Sequence, residues 1–113
     1  MFAKQYRLKT TNDFKGVFKK GRSVTKEGVL LRVRPTDGDH PRIGIIVSKK
    51  VAKKAVVRNR IRRILAEAIR PHLGHIRTNA DVVVVVLPDF RAEKTRQVNK
   101  IIDALFKQAF LLK

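Results

Sequence analysis

Cysteine is absent from the 113 residues. That excludes a disulfide framework, a thiolate nucleophile and Cys-ligated zinc. It also suits a reducing compartment, so a cytoplasmic protein is expected. Acids are scarce: nine Asp and Glu stand against 27 Lys and Arg, giving a formal net charge of +18. Spread this thinly, they offer no carboxylate pair for acid–base chemistry. Long apolar runs are missing too. The longest, Val82 to Leu87, is six residues, far short of the ~18 that cross a bilayer. No apolar run follows the charges of the N-terminal segment Met1 to Arg7, so it is not read as a secretory signal. There are no repeats, no low-complexity linker and no Gly-rich phosphate loop after a strand. His72 and His75 lie at i, i+3 without a nearby carboxylate or cysteine to complete a zinc site. They and His40 read as surface histidines. Asp37 and Asp39 flank Gly38 and read as a turn. No metal ligand and no catalytic residue is assigned.

A hydrophobic fraction of 43% is enough for a core. Chains that stay disordered lack the apolar surface to offset ordering entropy. At roughly 150 residues per domain, the length gives one domain. A charge of +18 on so small a body repels itself unless a polyanion neutralises it. Nucleic acid is the first partner to consider, an anionic membrane surface the second and an acidic protein the third. The charge is uneven. Lys49 to Arg70 holds nine basic residues and one acid, Glu67.

Hydrophobic periodicity places the elements. Thr11-Asn12 is expected to cap a short helix with Asp13 in its first turn. Phe14, Val17 and Phe18 follow at i, i+3, i+4, and Gly21 ends it. Ser23 to Thr25 suits a short strand. Val29, Leu31 and Val33 alternate with Arg32 and Arg34, the pattern of a half-buried strand. Ile43 to Ser48 is a second alternating strand, expected to form a hairpin with the first across the Pro35–Asp39 turn. A basic helix spans about Ala55 to Pro71, its apolar stripe being Val57, Ile61, Ile64, Leu65, Ala68 and Ile69. Asn59, Arg63 and Arg70 lie nearly opposite the stripe, and Arg58, Arg60 and Arg62 on its flanks. Val82 to Leu87 shows no polar alternation, so a central strand covered on both faces is expected. A last helix runs about Ala92 to Phe110 on Val98, Ile101, Ile102, Leu105, Phe106 and Ala109. The order describes an α/β sandwich in two layers.

Two features carry chemistry. Ser48-Lys49-Lys50 leads into Arg58-Asn59-Arg60-Ile61-Arg62-Arg63. Arginine forks grip phosphate bidentately, and lysine adds a point charge. Asparagine donates and accepts at once, which suits a ribose 2′-hydroxyl or a metal-bound water. A merely solvated helix face would carry balancing acids at i±4, and here only Glu67 does. Phe14 and Phe18 are the second feature. At helical spacing core packing is their default, whereas exposed rings would stack on bases.

The blocks Arg7-Leu8, Asp13 to Phe18, Arg42 to Lys50 and Val56 to Arg63 together resemble the protein subunit of bacterial ribonuclease P, most specifically over Arg42 to Arg63. The resemblance covers nearly the whole chain, residues 1–113, as one RNA-binding domain. It implies a partnership with a large catalytic RNA that removes the 5′ leader of precursor tRNA by hydrolysis. Mg2+ held mostly by that RNA is the implied cofactor, and the protein would assist substrate docking and metal binding. It implies a cleft between the first helix and the sheet that holds the single-stranded leader, assigned to Phe14, Phe18, Arg32 and Ser48. Some relatives carry an aromatic where this chain has Arg32, which can stack or bind phosphate instead. Lys49, Lys50, Lys53, Arg58, Asn59, Arg60 and Arg63 are assigned to the catalytic RNA, with no membrane or DNA partner. The implied fold is α-β-β-β-α-β-α, with a central mixed four-stranded sheet and a left-handed β-α-β crossover, where chirality alone would favour a right-handed one. Two other classes would use the same charge. One is a structural RNA-binding protein of the ribosomal kind, which would leave the ordered blocks unexplained. The other is a DNA-binding regulator, for which strands on both sides of the basic helix leave no helix-turn-helix partner.

Overall fold

The computed structural model describes residues 4–38, 40–76, 79–91 and 95–109. A 3-10 turn at Lys4–Tyr6 leads to α1 (Thr11–Lys20), β1 (Arg22–Lys26), β2 (Val29–Pro35), β3 (Arg42–Val47), α2 (Ala55–Ile69), a second 3-10 turn (Arg70–His75), β4 (Ala80–Val86) and α3 (Thr95–Gln108). The sheet order is β1-β2-β4-β3. The pair β1–β2 is antiparallel, as is β2–β4, and β3–β4 is parallel, so the sheet is mixed. The expected order of elements holds. Residues 92–94 and 110 of the expected last helix, Asp39 of the expected turn and Met1–Ala3 of the N-terminal segment lie outside the described residues.

The expected hairpin between Val29–Arg34 and Ile43–Ser48 does not form. β4 lies between these strands, pairing Leu31 with Val84 on one side and Ile45 with Val84 on the other. Five consecutive valines, Val82–Val86, put apolar side chains on both faces of β4, and a strand covered on both faces belongs in the interior of the sheet. The hairpin that does form is β1–β2. Its two-residue turn places Glu27 at φ 45 and Gly28 at φ 82, the left-handed pair that matches strand twist in tight hairpins.

Sheet alternation sorts side chains onto two unequal faces. Val29, Leu31, Val33, Ile43, Val47, Val82, Val84 and Val86 face α2 and α3, in a cluster of twenty buried residues among those described. All six apolar positions of the expected last-helix stripe are buried there. The opposite face carries α1 on three buried residues, Leu8, Val17 and Val83, with Phe14, Ile46 and Val85 packed at their margin. At about 1.5–3 kcal/mol per fully buried aliphatic side chain, the first face dominates the fold and α1 is lightly docked.

The cap of α1 lies one residue before the expected Thr11-Asn12, and the helix begins at Thr11. Thr10 is the N-cap, its hydroxyl accepting from the Asp13 amide at 3.0 Å while Asp13 accepts from the Thr10 amide at 3.5 Å. This reciprocal pair satisfies two otherwise orphaned donors. α2 ends at Ile69, before the expected Pro71, which lies in the following 3-10 turn. His72 in that turn is half-buried against the Phe106 ring, with centroids 5.3 Å apart, so it is not the surface histidine expected. Tyr6 likewise meets the half-buried His40 edge-on at 5.6 Å.

Candidate nucleic-acid interface

The face beneath α1 is built in three cross-strand rows. The first is ionic: Arg34, Asp81 and Arg42. The second is Ser23, Arg32, Val83 and Gly44, and the third is Thr25, Leu30, Val85 and Ile46. α1 crosses the first two rows. Val17 is buried with Val83, and a methyl on Gly44 would lie 2.4 Å from the Phe14 ring, so that ring rests directly on the sheet. The third row is less covered. Leu30, Val85 and Ile46 are half-buried and Thr25 is exposed. The result is an apolar floor beside two aromatic side chains of α1.

Phe14 and Phe18 divide the roles left open by their spacing. Phe14 is half-buried on Gly44, whereas Phe18 is 41% exposed. The Arg32 guanidinium lies 5.9 Å from the Phe18 centroid. Its Nε donates to the Val17 carbonyl at 3.3 Å and its Nη2 to the Phe18 carbonyl. Arg32 therefore caps the last turn of α1 while flanking the exposed ring. Ser48 is exposed, two residues beyond Ile46, where its carbonyl accepts from the Val51 and Ala52 amides.

The second surface is the loop into α2 and the helix itself. Lys49, Lys50, Lys53, Asn59, Arg60 and Arg63 are exposed. Arg60 and Arg63 have no hydrogen bond or ion pair with other described residues. Arg58 is half-buried, and its Nη1 donates to the Ala52 and Lys53 carbonyls at 3.0 and 2.7 Å. It thus holds the loop as well as facing outward in part. Asn59 Oδ1 accepts from Arg62 at 2.7 Å, and Arg62 also reaches the Val47 carbonyl at 3.4 Å. Glu67 is taken by Arg70 at 2.8 Å. Lys54, the N-cap of α2, makes no side-chain cap, and no acid occupies the first turn. Lysines at the positive end of a helix dipole cost about 0.3–1 kcal/mol each, a cost that a bound anion removes.

The two surfaces converge at the outer edge of β3. A groove of about 290 Å³ there is lined by Arg7, Leu8, Phe14, Ile43, Gly44, Ile45 and Arg62. The sequence pattern includes Arg62 in the basic helix element without assigning it to the catalytic RNA or the leader, and it does not single out the floor residues Leu30, Ile46 and Val85. Alternation in β2 and β3 marks Leu30 and Ile46 as facing away from the main core, a signal available in the sequence. Val85 is hidden in an unbroken valine run, and it is half-buried where full cover was expected. Val56, 78% exposed, stands one turn before Asn59 and Arg60. Among the described residues, no three His, Asp or Glu side chains gather into a potential metal cage. No described helix is long and apolar enough to cross a membrane.

Comparison with known proteins decides the family. Residues 2–110 match the family model described as Ribonuclease P. The chain belongs to the ribonuclease P protein family. It is 38% identical over 98 residues to the ribonuclease P protein component of Lactobacillus gasseri, covering 83% of this chain and 80% of that one. It is 36% identical over 110 residues to the component of Synechocystis, covering 96% and 89%. The solved RNase P protein of Staphylococcus aureus superposes with a TM-score of 0.86 at 32% identity, covering 96% of this chain and 98% of that one. The Thermotoga maritima RNase P protein, solved with 1-(4-fluorophenyl)-2-thiourea, gives 0.78 at 29% identity, covering 90% and 98%. As a ribonuclease P protein, the chain is the protein subunit of the tRNA-processing ribonucleoprotein and a partner of ribonuclease P RNA.

Proposed function

We propose that this subunit holds the 5′ leader of precursor tRNA on the strip beside α1 and docks the catalytic RNA on the loop and outer face of α2, in the cytoplasm. The observation that carries this reading is the pairing of an open apolar floor and an exposed Phe18 with a basic helix face that lacks compensating acids. Single-stranded RNA is bound in this way, with bases on aromatic platforms and phosphates on cations. Phe18 is the stacking platform, Phe14 the inner wall, Arg32 the support of Phe18, and Ser48 the rim at the strand end. Lys49, Lys50, Lys53, Arg60 and Arg63 neutralise phosphates of the catalytic RNA. Arg58 shapes the loop that presents the lysines, and Asn59 offers its amide nitrogen to a ribose hydroxyl.

Hydrolysis is assigned to the RNA. Asp13, Asp81, Glu67 and Asp103 are each held in an ion pair with Arg or Lys. The α2 face presents cations and an amide, and its carboxylate, Glu67, is paired with Arg70. Such a donor set does not fit inner-sphere magnesium, which takes carboxylate or phosphate oxygens, so Mg2+ belongs to the RNA. The testing experiment measures cleavage of precursors with a long and with a single-nucleotide 5′ leader by ribonuclease P RNA at low magnesium, with and without this protein. The protein is expected to favour the long-leader precursor. Equal stimulation of both would remove the leader site, and robust cleavage by RNA-free protein would overturn the assignment of chemistry to RNA.

A further inference from the structure

Little apolar surface holds α1 to the sheet, and its first turn is anchored by charge instead. The Asp81 side chain is 1% exposed. It accepts from Arg42 Nε and Nη2, both at 2.8 Å, and from Arg34 Nη2 at 3.0 Å. The Nη1 of Arg42 extends to Asp13 Oδ2 at 3.4 Å. Asp13 is also the acidic half of the capping box that starts α1. Burial raises its pKa, but the Thr10 hydroxyl and the Arg42 charge outweigh burial and hold it below the ordinary 3.8. Gly16 continues the contact. A methyl there would fall 2.2 Å from Arg34 Nη1, so the backbone of α1 lies directly on the ionic row. Phe14 follows Asp13 in sequence and rests on Gly44, two residues from Arg42 along β3.

We infer that Arg42 is a positioning residue for the leader cleft: its fork on Asp81 and its reach to Asp13 fix the first turn of α1, and with it the Phe14 ring, against β3. This rests on the reading of the strip beside α1 as the leader site. Arg42 acts through these contacts: its Nε and Nη2 donate to Asp81 and its Nη1 to Asp13. A carboxylate gripped by a planar fork has one geometry, whereas a lysine would supply charge without orientation.

The test compares Arg42→Gln, Arg42→Lys, Asp13→Asn, Phe14→Ala and the Arg42→Gln/Phe14→Ala double variant. Each full chain is assembled with ribonuclease P RNA and assayed on precursors with a long and with a single-nucleotide leader, and amide exchange is followed on each protein. Arg42→Gln is expected to speed exchange at Phe14–Val17 about tenfold while leaving Val82–Val86 protected, as local opening of one element requires. Its affinity for the long-leader precursor should fall about tenfold, within the range of losing one aromatic contact to a base, with kcat on the single-nucleotide-leader precursor unchanged. Arg42→Lys should recover less than half of that loss, and the double variant should be no worse than Phe14→Ala. Should Arg42→Gln fail to fold, Asp13→Asn removes the charge that Arg42 reaches while keeping an oxygen for the Thr10 amide and leaving Asp81 paired, and it must show the same faster exchange. Unchanged exchange in α1, full rescue by lysine, or losses of Arg42→Gln and Phe14→Ala that multiply would overturn the inference. If Phe14→Ala leaves leader affinity unchanged, the leader reading fails on its own, and exchange in α1 then decides the anchoring by itself.

Discussion

At Gly44 a missing Cβ decides where an aromatic sits. Phe14 occupies the space a side chain would take, which puts its ring on the sheet and leaves Phe18, one turn on, to the solvent. Gly44→Ala is therefore expected to displace Phe14, lowering stability by about 1–3 kcal/mol as overpacking does and weakening leader affinity in the same variant. A thermal melt beside leader-bearing and leaderless binding assays checks both. His72 gives a pH prediction at the same scale. Burial lowers its pKa below 6.5, Asp103 opposes the shift, and His75 and Lys107 add to it. The folded state thus prefers the neutral ring. Its contribution is complete above pH 6.5 and is lost as pH falls from 6.5 through the lower folded value. Chemical denaturation of His72→Gln across that range should show a flatter dependence than the parent chain, and an equal slope would mean His72 is not the group responsible.

Among the elements, α1 and α2 present opposite designs. α1 is lightly docked, with Phe14 on the sheet and Phe18 toward solvent, so Phe14→Ala with Phe18→Ala should weaken binding of leader-bearing substrate more than of leaderless tRNA, at roughly 1–3 kcal/mol per stacked base. Equal losses, with stability lost by circular dichroism, would place both rings in the core. α2 is firmly docked through Leu65, Ala68 and Ile69 and exposes Arg60 and Arg63. Replacing both by alanine should leave the melt within about ±0.5 kcal/mol, as for most surface changes, yet raise the magnesium midpoint of holoenzyme cleavage. An unchanged midpoint with a collapsed melt would assign these arginines to the fold.

The elements were largely legible from periodicity, because the stripes of α2 and α3 and the alternation of β2 and β3 report one buried face each. Pairing was less so. Strands adjacent in sequence suggested a β2–β3 hairpin, although the continuous valines of β4 already required a neighbour on both sides. Three possible cap residues, Thr10, Thr11 and Asn12, stand in a row, and only the reciprocal bond with Asp13 selects Thr10. The cationic half of the candidate site was readable because missing acids leave a mark in sequence. The cleft floor was not, since it exists only when Leu30, Val85 and Ile46 come from three strands into one row.

For the molecule as a whole, charge is the organising quantity. A net +18 on this fold is tolerable with a polyanion alongside. If about six phosphates are neutralised, log K should fall with log salt at a slope of about −4, and a slope near zero would exclude a phosphate-driven footprint. In the proposed arrangement one small subunit holds the leader on one side of the sheet while its basic helix serves the catalytic RNA. The most direct measurement titrates this protein into ribonuclease P RNA at low magnesium and follows cleavage of matched precursors whose 5′ leaders run from long to a single nucleotide. Cleavage is expected to become efficient only with protein added, and the gain is expected to shrink when the leader is cut back. A gain independent of leader length, or none at all, would contradict that arrangement.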